Sequence, residues 1–321
     1  MSVNIVFSGT PNFAIPTLQA LVAAPWANVI GVVTRPDRPA GRGRQLTPPP
    51  VKRVAVEYAL PVFQPESLRD PQATAHLAAW EPDVIVVVAS GYLLPQHVLD
   101  IPPKGCVNVH ASLLPRWRGA APIAAAIRAG DAVTGVTVMR MDAGLDTGPI
   151  LAQRSTPIHA DDTRGSLHDR LAQIGADLLV ETLPAYLNGE LQPRPQPDEG
   201  ATYAPPLQKE DGRLDWTQPA DVLDRQVRAV TPWPGAFTTW QGQRLKIVRA
   251  TPVPHWRGEA PPGTVIRLDD GYAVATGEGA LRLEAVQLAG KRPMDVATFL
   301  CGQRDCLGSR LGDEPSEGNR N

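Results

Sequence analysis

The run Val84-Ile85-Val86-Val87-Val88 most constrains what this chain can fold into. Every residue in it is apolar and β-branched, so neither face of a strand formed here can meet water. Strands of that kind lie at the centre of parallel sheets that helices cover on both sides. Upstream, Val3–Phe7 leads through Ser8-Gly9-Thr10-Pro11 into a helix predicted over about 11–23, and Val29–Val33 gives a second strand. A helix over 51–58, a short strand over 61–63 and a helix over 71–80 follow. Downstream, strands are predicted at 107–109 and 134–141, with a small-residue helix over about 120–129 between them and an antiparallel edge near 150–152. The alternation specifies an α/β architecture with a doubly wound, mostly parallel sheet.

After Ala160-Asp161-Asp162-Thr163, an N-cap region, a long helix carries Leu167, Leu171, Ile174, Leu178, Leu179 and Leu183 at helical spacing. The composition then shifts. Pro193, Pro195, Pro197, Pro205 and Pro206 mark a stiff extended linker over 184–209, closing a first domain of 1–183. Short alternating segments at 235–240, 244–250, 263–268, 271–276 and 281–288, separated by Gly and Pro turns, predict a small β-barrel or sandwich over 210–305. Residues 306–321 are expected to be a disordered tail.

A net charge of −2 rules out a globally basic polyanion binder, so any basic surface is local. Two such regions stand out. The first is the aperiodic loop Thr34–Pro50, in which Arg35, Arg38, Arg42 and Arg44 face Asp37 alone. The glycines flanking Arg42 allow close backbone approach to a large polyanion, although an ordinary solvated loop has the same composition. The second is the stretch 225–258, which has Arg225, Arg228, Arg244, Lys246, Arg249 and Arg257 but no acidic residue, with Trp233, Trp240 and Trp256 among them. Cations neutralise phosphates and aromatic faces accept unstacked bases; a barrel surface over a tryptophan core reads the same way. Three cysteines without paired spacing fit a reducing compartment. The N-terminus shows no basic segment followed by an apolar run, and no apolar run is long enough to span a bilayer. A cytoplasmic protein without membrane association is expected.

The chemistry concentrates in Gly105–Pro122, where Val107 and Val109 alternate with Asn108 and His110. A polar strand end at the edge of an open α/β sheet is where such folds place ligands. His110 is the natural acid/base and Asn108 an amide donor for a developing oxyanion. Asp146, in the loop Asp142–Gly148, can orient the imidazole or take a proton itself. Taken alone, Asn-x-His is better explained by core hydrogen bonding; the adjoining Asp loop and the basic elbow Arg116-Trp117-Arg118 move the reading toward function. No protein nucleophile is evident, since Cys106 precedes the strand among apolar neighbours, Ser112 lacks a Gly-x-Ser-x-Gly elbow, and Cys301 and Cys306 have no histidine partner nearby. The scattered histidines make no metal motif, and the turn after Gly9 is not Gly-x-Gly-x-x-Gly. An amide, an imidazole and a carboxylate suit direct acyl transfer between two bound substrates.

These residues resemble a family. Asn108-Val109-His110 followed by Ser112-Leu113-Leu114-Pro115-Arg116-Trp117-Arg118-Gly119, with Asp142–Gly148 downstream, is similar to the core of the 10-formyltetrahydrofolate-dependent formyltransferases. The loop Pro36–Gly43 and Pro232-Trp233-Pro234 resemble the members of that family that act on tRNA. Ala111 stands where the family often has glycine. The resemblance implies a Rossmann-like catalytic domain followed by an OB-like β-barrel. It implies transfer of a formyl group from 10-formyltetrahydrofolate to the α-amine of charged initiator tRNA by a monomer that needs no metal. It makes Asn108, His110 and Asp146 catalytic and puts the folate against Ser112, Leu113, Leu114 and Pro115 with Val88, Ala89, Tyr92 and Leu93. It assigns tRNA contacts to Arg38, Arg42, Arg44, Arg116, Arg118, Arg244, Lys246 and Arg249. A transferase for a small amine such as a sugar nucleotide, a formyltetrahydrofolate hydrolase and a non-catalytic RNA-binding module remain as alternatives.

Overall fold

The structure, a computed structural model, describes residues 2–40, 43 and 45–312. Arg42 and Arg44 of the arginine loop, and residues 313–321 of the expected tail, lie outside the described residues. The chain forms two compact units. The first comprises Met1–Pro122, Val133–Pro157 and Leu167–Pro205, the second Ile123–Ala132, Ile158–Ser166 and the chain from Pro206 onward.

In chain order the first part of the sequence forms β1 (Val3–Gly9), α1 (Ile15–Ala23), β2 (Ala27–Val33), β3 (Arg38–Ala40), β4 (Gln45–Thr47), α2 (Pro50–Glu57), β5 (Val62–Phe63), α3 (Pro71–Ala79) and β6 (Val84–Val88). There follow α4 (Gln96–Leu99), β7 (Cys106–His110), β8 (Arg118–Gly119), α5 (Pro122–Ala129), β9 (Val133–Arg140), β10 (Ile150–Pro157), α6 (Arg164–Leu187) and β11 (Tyr203–Ala204). The main sheet runs β10-β9-β7-β6-β1-β2-β5, parallel from β7 to β5 and antiparallel at β9 and β10. As its composition requires, β6 lies near the middle with all five residues buried. The chain winds outward from β1 to β5 and then returns to the other side of β1 as β6, so the switch point lies at the carboxyl ends of β1 and β6. Next to it ends β7. A Cβ on Gly175 of α6 would come within 2.7 Å of the Val109 side chain, so glycine is what lets this helix lie so close to β7. Val109 thus faces α6, and the pleat turns Asn108 and His110 to the other side.

Two expectations change here. The arginine loop is partly regular, because β3 and β4 pair antiparallel with Arg38 opposite Thr47. The stretch expected to be a linker is built into the first unit as far as Pro205. Helix α6 continues through Pro184 to Leu187, Ile150 and Arg194 exchange both backbone hydrogen bonds at 2.7 and 2.8 Å, and β11 pairs in parallel with β8. Proline removes donors, but the residues between prolines keep theirs and use them on an exposed edge.

The second unit contains α7 (Ala220–Ala229), β12 (Ala236–Trp240), β13 (Gln243–Val253), β14 (Val265–Leu268), β15 (Gly271–Ala275), β16 (Ala280–Leu288), β17 (Met294–Asp295) and α8 (Val296–Gly302). The antiparallel order is β12-β13-β16-β15-β14, with β17 on β16. Trp216, Leu223, Ile247, Val274 and Leu281 are among its core residues. Residues expected to begin the disordered tail instead join the two ends of this sheet. Val265 of β14 exchanges backbone hydrogen bonds with Gly308 and Ser309, and Gly312 N–H donates to Thr239 of β12 at 2.9 Å. Cys306 and Leu311 are buried in the same core. The segment is too short and glycine-rich to show periodicity, which is why composition suggests disorder. Leu311, 2% exposed, is expected to lower the unfolding free energy by about 2–4 kcal/mol when changed to alanine, as read by urea titration.

Candidate active site

The two polar side chains at the end of β7 are almost fully enclosed, Asn108 at 8% and His110 at 6% exposure. His110 Nε2 lies 2.9 Å from the Trp117 carbonyl oxygen. A carbonyl only accepts, so Nε2 carries hydrogen, and in a neutral ring Nδ1 is then bare. Nδ1 faces Asp146 Oδ2 at 3.6 Å. That contact is attractive only with a proton on Nδ1 or on the carboxylate. Asp146 also accepts from Gly119 N–H at 2.8 Å through Oδ2 and from Asn108 Nδ2 at 3.5 Å through Oδ1. Amide and imidazole from the end of β7 and a carboxylate from the loop between β9 and β10 therefore converge.

The backbone that delivers these partners is locally strained. Trp117 (φ 64°) and Asp146 (φ 52°) occupy the left-handed region, which costs a non-glycine residue about 1 kcal/mol and which Asp tolerates better than Trp. Gly119 has φ 111°, and a Cβ there would lie 2.7 Å from the Ala204 carbonyl oxygen, so no other residue fits this position unstrained. The turn after β7 is cross-braced. Ser112 Oγ donates to the Arg116 carbonyl at 2.7 Å, while Thr137 Oγ1 donates to the Ser112 carbonyl at 2.6 Å and accepts from Leu114 N–H at 3.1 Å. Gln153 Nε2 donates to the Leu114 carbonyl at 2.9 Å.

The residues expected to line a folate site divide. Ser112 and Leu114 are buried, the first within the turn and the second packed with Met139 and Ile150, so their side chains hold the turn rather than present a surface. Leu113 and Pro115 are half-buried. Val88 is fully buried, whereas Ala89 and Leu93 are exposed at the carboxyl edge beside β7. Tyr92 lies between: its hydroxyl is 3.0 and 2.5 Å from the carbonyl oxygens of Thr34 and Pro65, and burial raises its pKa.

The expected tRNA contacts divide too. Arg38 is exposed on β3. Asp37 is not available to the arginines, because hydrogen bonds from Lys52 and Gln64 engage it and hold its carboxyl below the usual range. Exposed Arg116 lays its guanidinium 4.2 Å from the Trp117 ring centroid. Arg118 is a correction: it is 5% exposed and both Nε and Nη2 donate to Gln196 Oε1, so it is not a surface contact for phosphate. Arg244 is exposed over the Phe237 ring, with half-buried Lys246 two residues along the same face of β13. Arg249 is ion-paired with Glu284.

A profile described as Formyl transferase matches residues 1–183, and one described as Formyl transferase, C-terminal domain, matches residues 206–304. The chain belongs to the formyl transferase family. Among relatives, a protein named Methionyl-tRNA formyltransferase from Roseiflexus sp. (strain RS-1) is 52% identical over 98% of this chain and 96% of its own. A protein of the same name from Pseudomonas savastanoi pv. phaseolicola is 50% identical over 96% of this chain and 98% of its own. Among solved structures, WlaRD, described as a sugar 3N-formyl transferase, superposes with TM-score 0.66 at 16% identity over 91% of this chain and all of its own. HypX from Aquifex aeolicus, solved with tetrahydrofolic acid, superposes with TM-score 0.61 at 19% identity over 99% of this chain and half of its own. At such identities the likeness establishes the fold.

Within this formyl transferase fold, Gln196, Thr202, Thr137 and Gln153 are site-shaping residues that sequence reasoning missed. They carry no motif, and only the tertiary structure brings them to the loops they hold. Among the described residues no cluster of three or more His, Cys, Asp or Glu is placed to hold a metal, and no helix is long and apolar enough to cross a membrane. Cys106, two residues before Asn108, has its thiol pushed up to about 12 by burial, and Cys306 is raised to about 11 for the same reason. Both therefore stay protonated well above neutrality and make no nucleophile. In native protein at pH 8, iodoacetamide is expected to modify exposed Cys301 and to leave Cys106 and Cys306 intact until denaturant is added, as mass spectrometry reads.

Proposed function

We propose that this chain transfers a formyl group from 10-formyltetrahydrofolate to the α-amine of methionine on charged initiator tRNA. The observation that carries the reading is the convergence of Asn108, His110 and Asp146 at the carboxyl edge of the sheet. It is supported by relatives of about half identity over nearly the whole chain that carry that activity in their name.

The amine nitrogen adds to the formyl carbon, the carbonyl π pair moves onto oxygen, and a tetrahedral intermediate forms. Asn108 Nδ2 keeps a second N–H beyond the one given to Asp146 and donates it to the oxyanion; one such donor is worth about a hundredfold to a thousandfold in rate. The intermediate collapses by breaking the bond from carbon to the folate nitrogen, which takes up a proton as the amine loses one. Because Nε2–H is held by the Trp117 carbonyl, Nδ1 is the edge of His110 that shares a proton with Asp146. Holding amine and formyl donor together supplies much of the remaining acceleration. The acceptor end of the tRNA is drawn by exposed Arg38 and Arg116 on the catalytic unit and by exposed Arg244 with half-buried Lys246 on the barrel.

The deciding experiment offers purified protein 10-formyltetrahydrofolate with charged initiator tRNA, free methionine and a nucleotide sugar in parallel. Formylation of the tRNA alone is expected, and preferential formylation of the sugar overturns the reading. His110→Ala and Asp146→Ala are each expected to lower formyl transfer at least about a hundredfold while tRNA binding survives. Lys246→Ala is expected to weaken tRNA binding and to reduce by about one the slope of log affinity against log salt, as expected for a lost phosphate contact.

A further inference from the structure

We propose that Arg118 and Gln196 are positioning residues for Asp146, and that the proline-rich segment 194–204 is a strap that sets the two groups facing the His110 ring nitrogens, the Trp117 carbonyl and the Asp146 carboxylate. This rests on the reading of Asp146 and His110 as catalytic.

Gln196 lies between Pro195 and Pro197, which restrict its backbone. Its Oε1 accepts from Arg118 Nε at 3.2 Å and Nη2 at 2.9 Å, while its Nε2 donates to the carbonyl oxygens of Asp146 at 2.8 Å and Gly148 at 2.7 Å. A guanidinium cannot accept and a carbonyl cannot donate, so only this orientation of the amide satisfies all four contacts. The buried Arg118 charge therefore orients the amide, and the amide clamps the left-handed turn at Asp146 from behind. The next residue, Gly119, holds the same aspartate from the front, since its N–H reaches Oδ2 at 2.8 Å.

The same strap sets the other side of the imidazole. Thr202 Oγ1 accepts from Trp117 N–H at 2.9 Å, and the Thr202 carbonyl accepts from Arg118 N–H at 2.9 Å. These bonds flank the Trp117 carbonyl that His110 Nε2 meets at 2.9 Å. One extended segment thus fixes Trp117 through Thr202 and Asp146 through Gln196, and with them the orientation of the ring. A catalytic group displaced by about 1 Å loses on the order of a hundredfold in rate, which is what such a frame prevents.

The test is Gln196→Glu in the full chain. Glutamate keeps an acceptor for Arg118 but loses both donor hydrogens, and it sets a carboxylate against the Asp146 and Gly148 carbonyls. The expected result is a folded protein with kcat for formyl transfer lowered at least tenfold and KM for charged tRNA and for 10-formyltetrahydrofolate within threefold of wild type. Deuterium uptake in the peptides covering 117–121 and 142–148 is expected to rise, with β1 and the barrel unchanged. The double variant Arg118→Met/Gln196→Met, which removes the buried charge together with its partner, is expected to give the same kcat loss if Gln196→Glu fails to fold. A wild-type kcat in either folded variant overturns the proposal, as does a rise in KM for tRNA at unchanged kcat. Asp146→Asn run in parallel separates the two readings. A normal rate there removes the catalytic role, whereas unchanged deuterium uptake at 142–148 in Gln196→Glu removes the strap whatever Asp146 does.

Discussion

The carboxylate of Asp146 is where the loops at the carboxyl edge of the main sheet are tied together. With 14% of its side chain exposed it has lost most of its water, and the structure replaces that water with Gly119 N–H, the Asn108 amide and the edge of His110. A buried carboxylate without such partners would be costly. Each partner in turn demands something of the backbone: the pleat of β7 for Asn108 and His110, the glycine conformation at 119, and a left-handed aspartate. The sheet brings the loops to one edge, and the close contact of Gly175 with Val109 settles which face of β7 looks into the site.

The positive surface is narrower than the arginine count suggests. Arg118 is withdrawn into the interior by Gln196 and Arg249 is neutralised by Glu284, while Asp37 is removed from the arginine loop by Lys52 and Gln64. Among the described residues of the two basic regions and the turn after β7, the exposed cations include Arg38 and Arg116 on one unit and Arg244 and Arg257 on the other. With so slight a net charge, the positive potential of this molecule is local.

Much of the fold was legible because it rests on periodicity. The doubly apolar run of β6, the alternation at β7, the leucine spacing of α6 and most barrel strands follow from side-chain period alone. The convergence of Asn108, His110 and Asp146 was legible because amide and imidazole share one face of a strand end and the carboxylate lies in a glycine-rich loop. What escaped were features whose cause lies far along the chain. Arg118 looks like a surface cation until Gln196, 78 residues away, is seen to bury it. The prolines around Gln196 suggest a linker, and only the open edges offered by Arg118–Gly119 and Ile150 turn that stretch into part of the site. The hairpin β3–β4 and the segment after Cys306 are too short to carry a period.

The way residues 308–312 join β14 to β12 bears on how the second unit comes into being. Strand β12 is made early in that unit, yet its partner at Gly312 leaves the ribosome some seventy residues later, at the slow pace of synthesis. Until then the nascent sheet has two raw margins able to pair with another chain. Completion of this unit therefore waits for residues 308–312 to emerge, and until they do the growing polypeptide carries both margins uncovered.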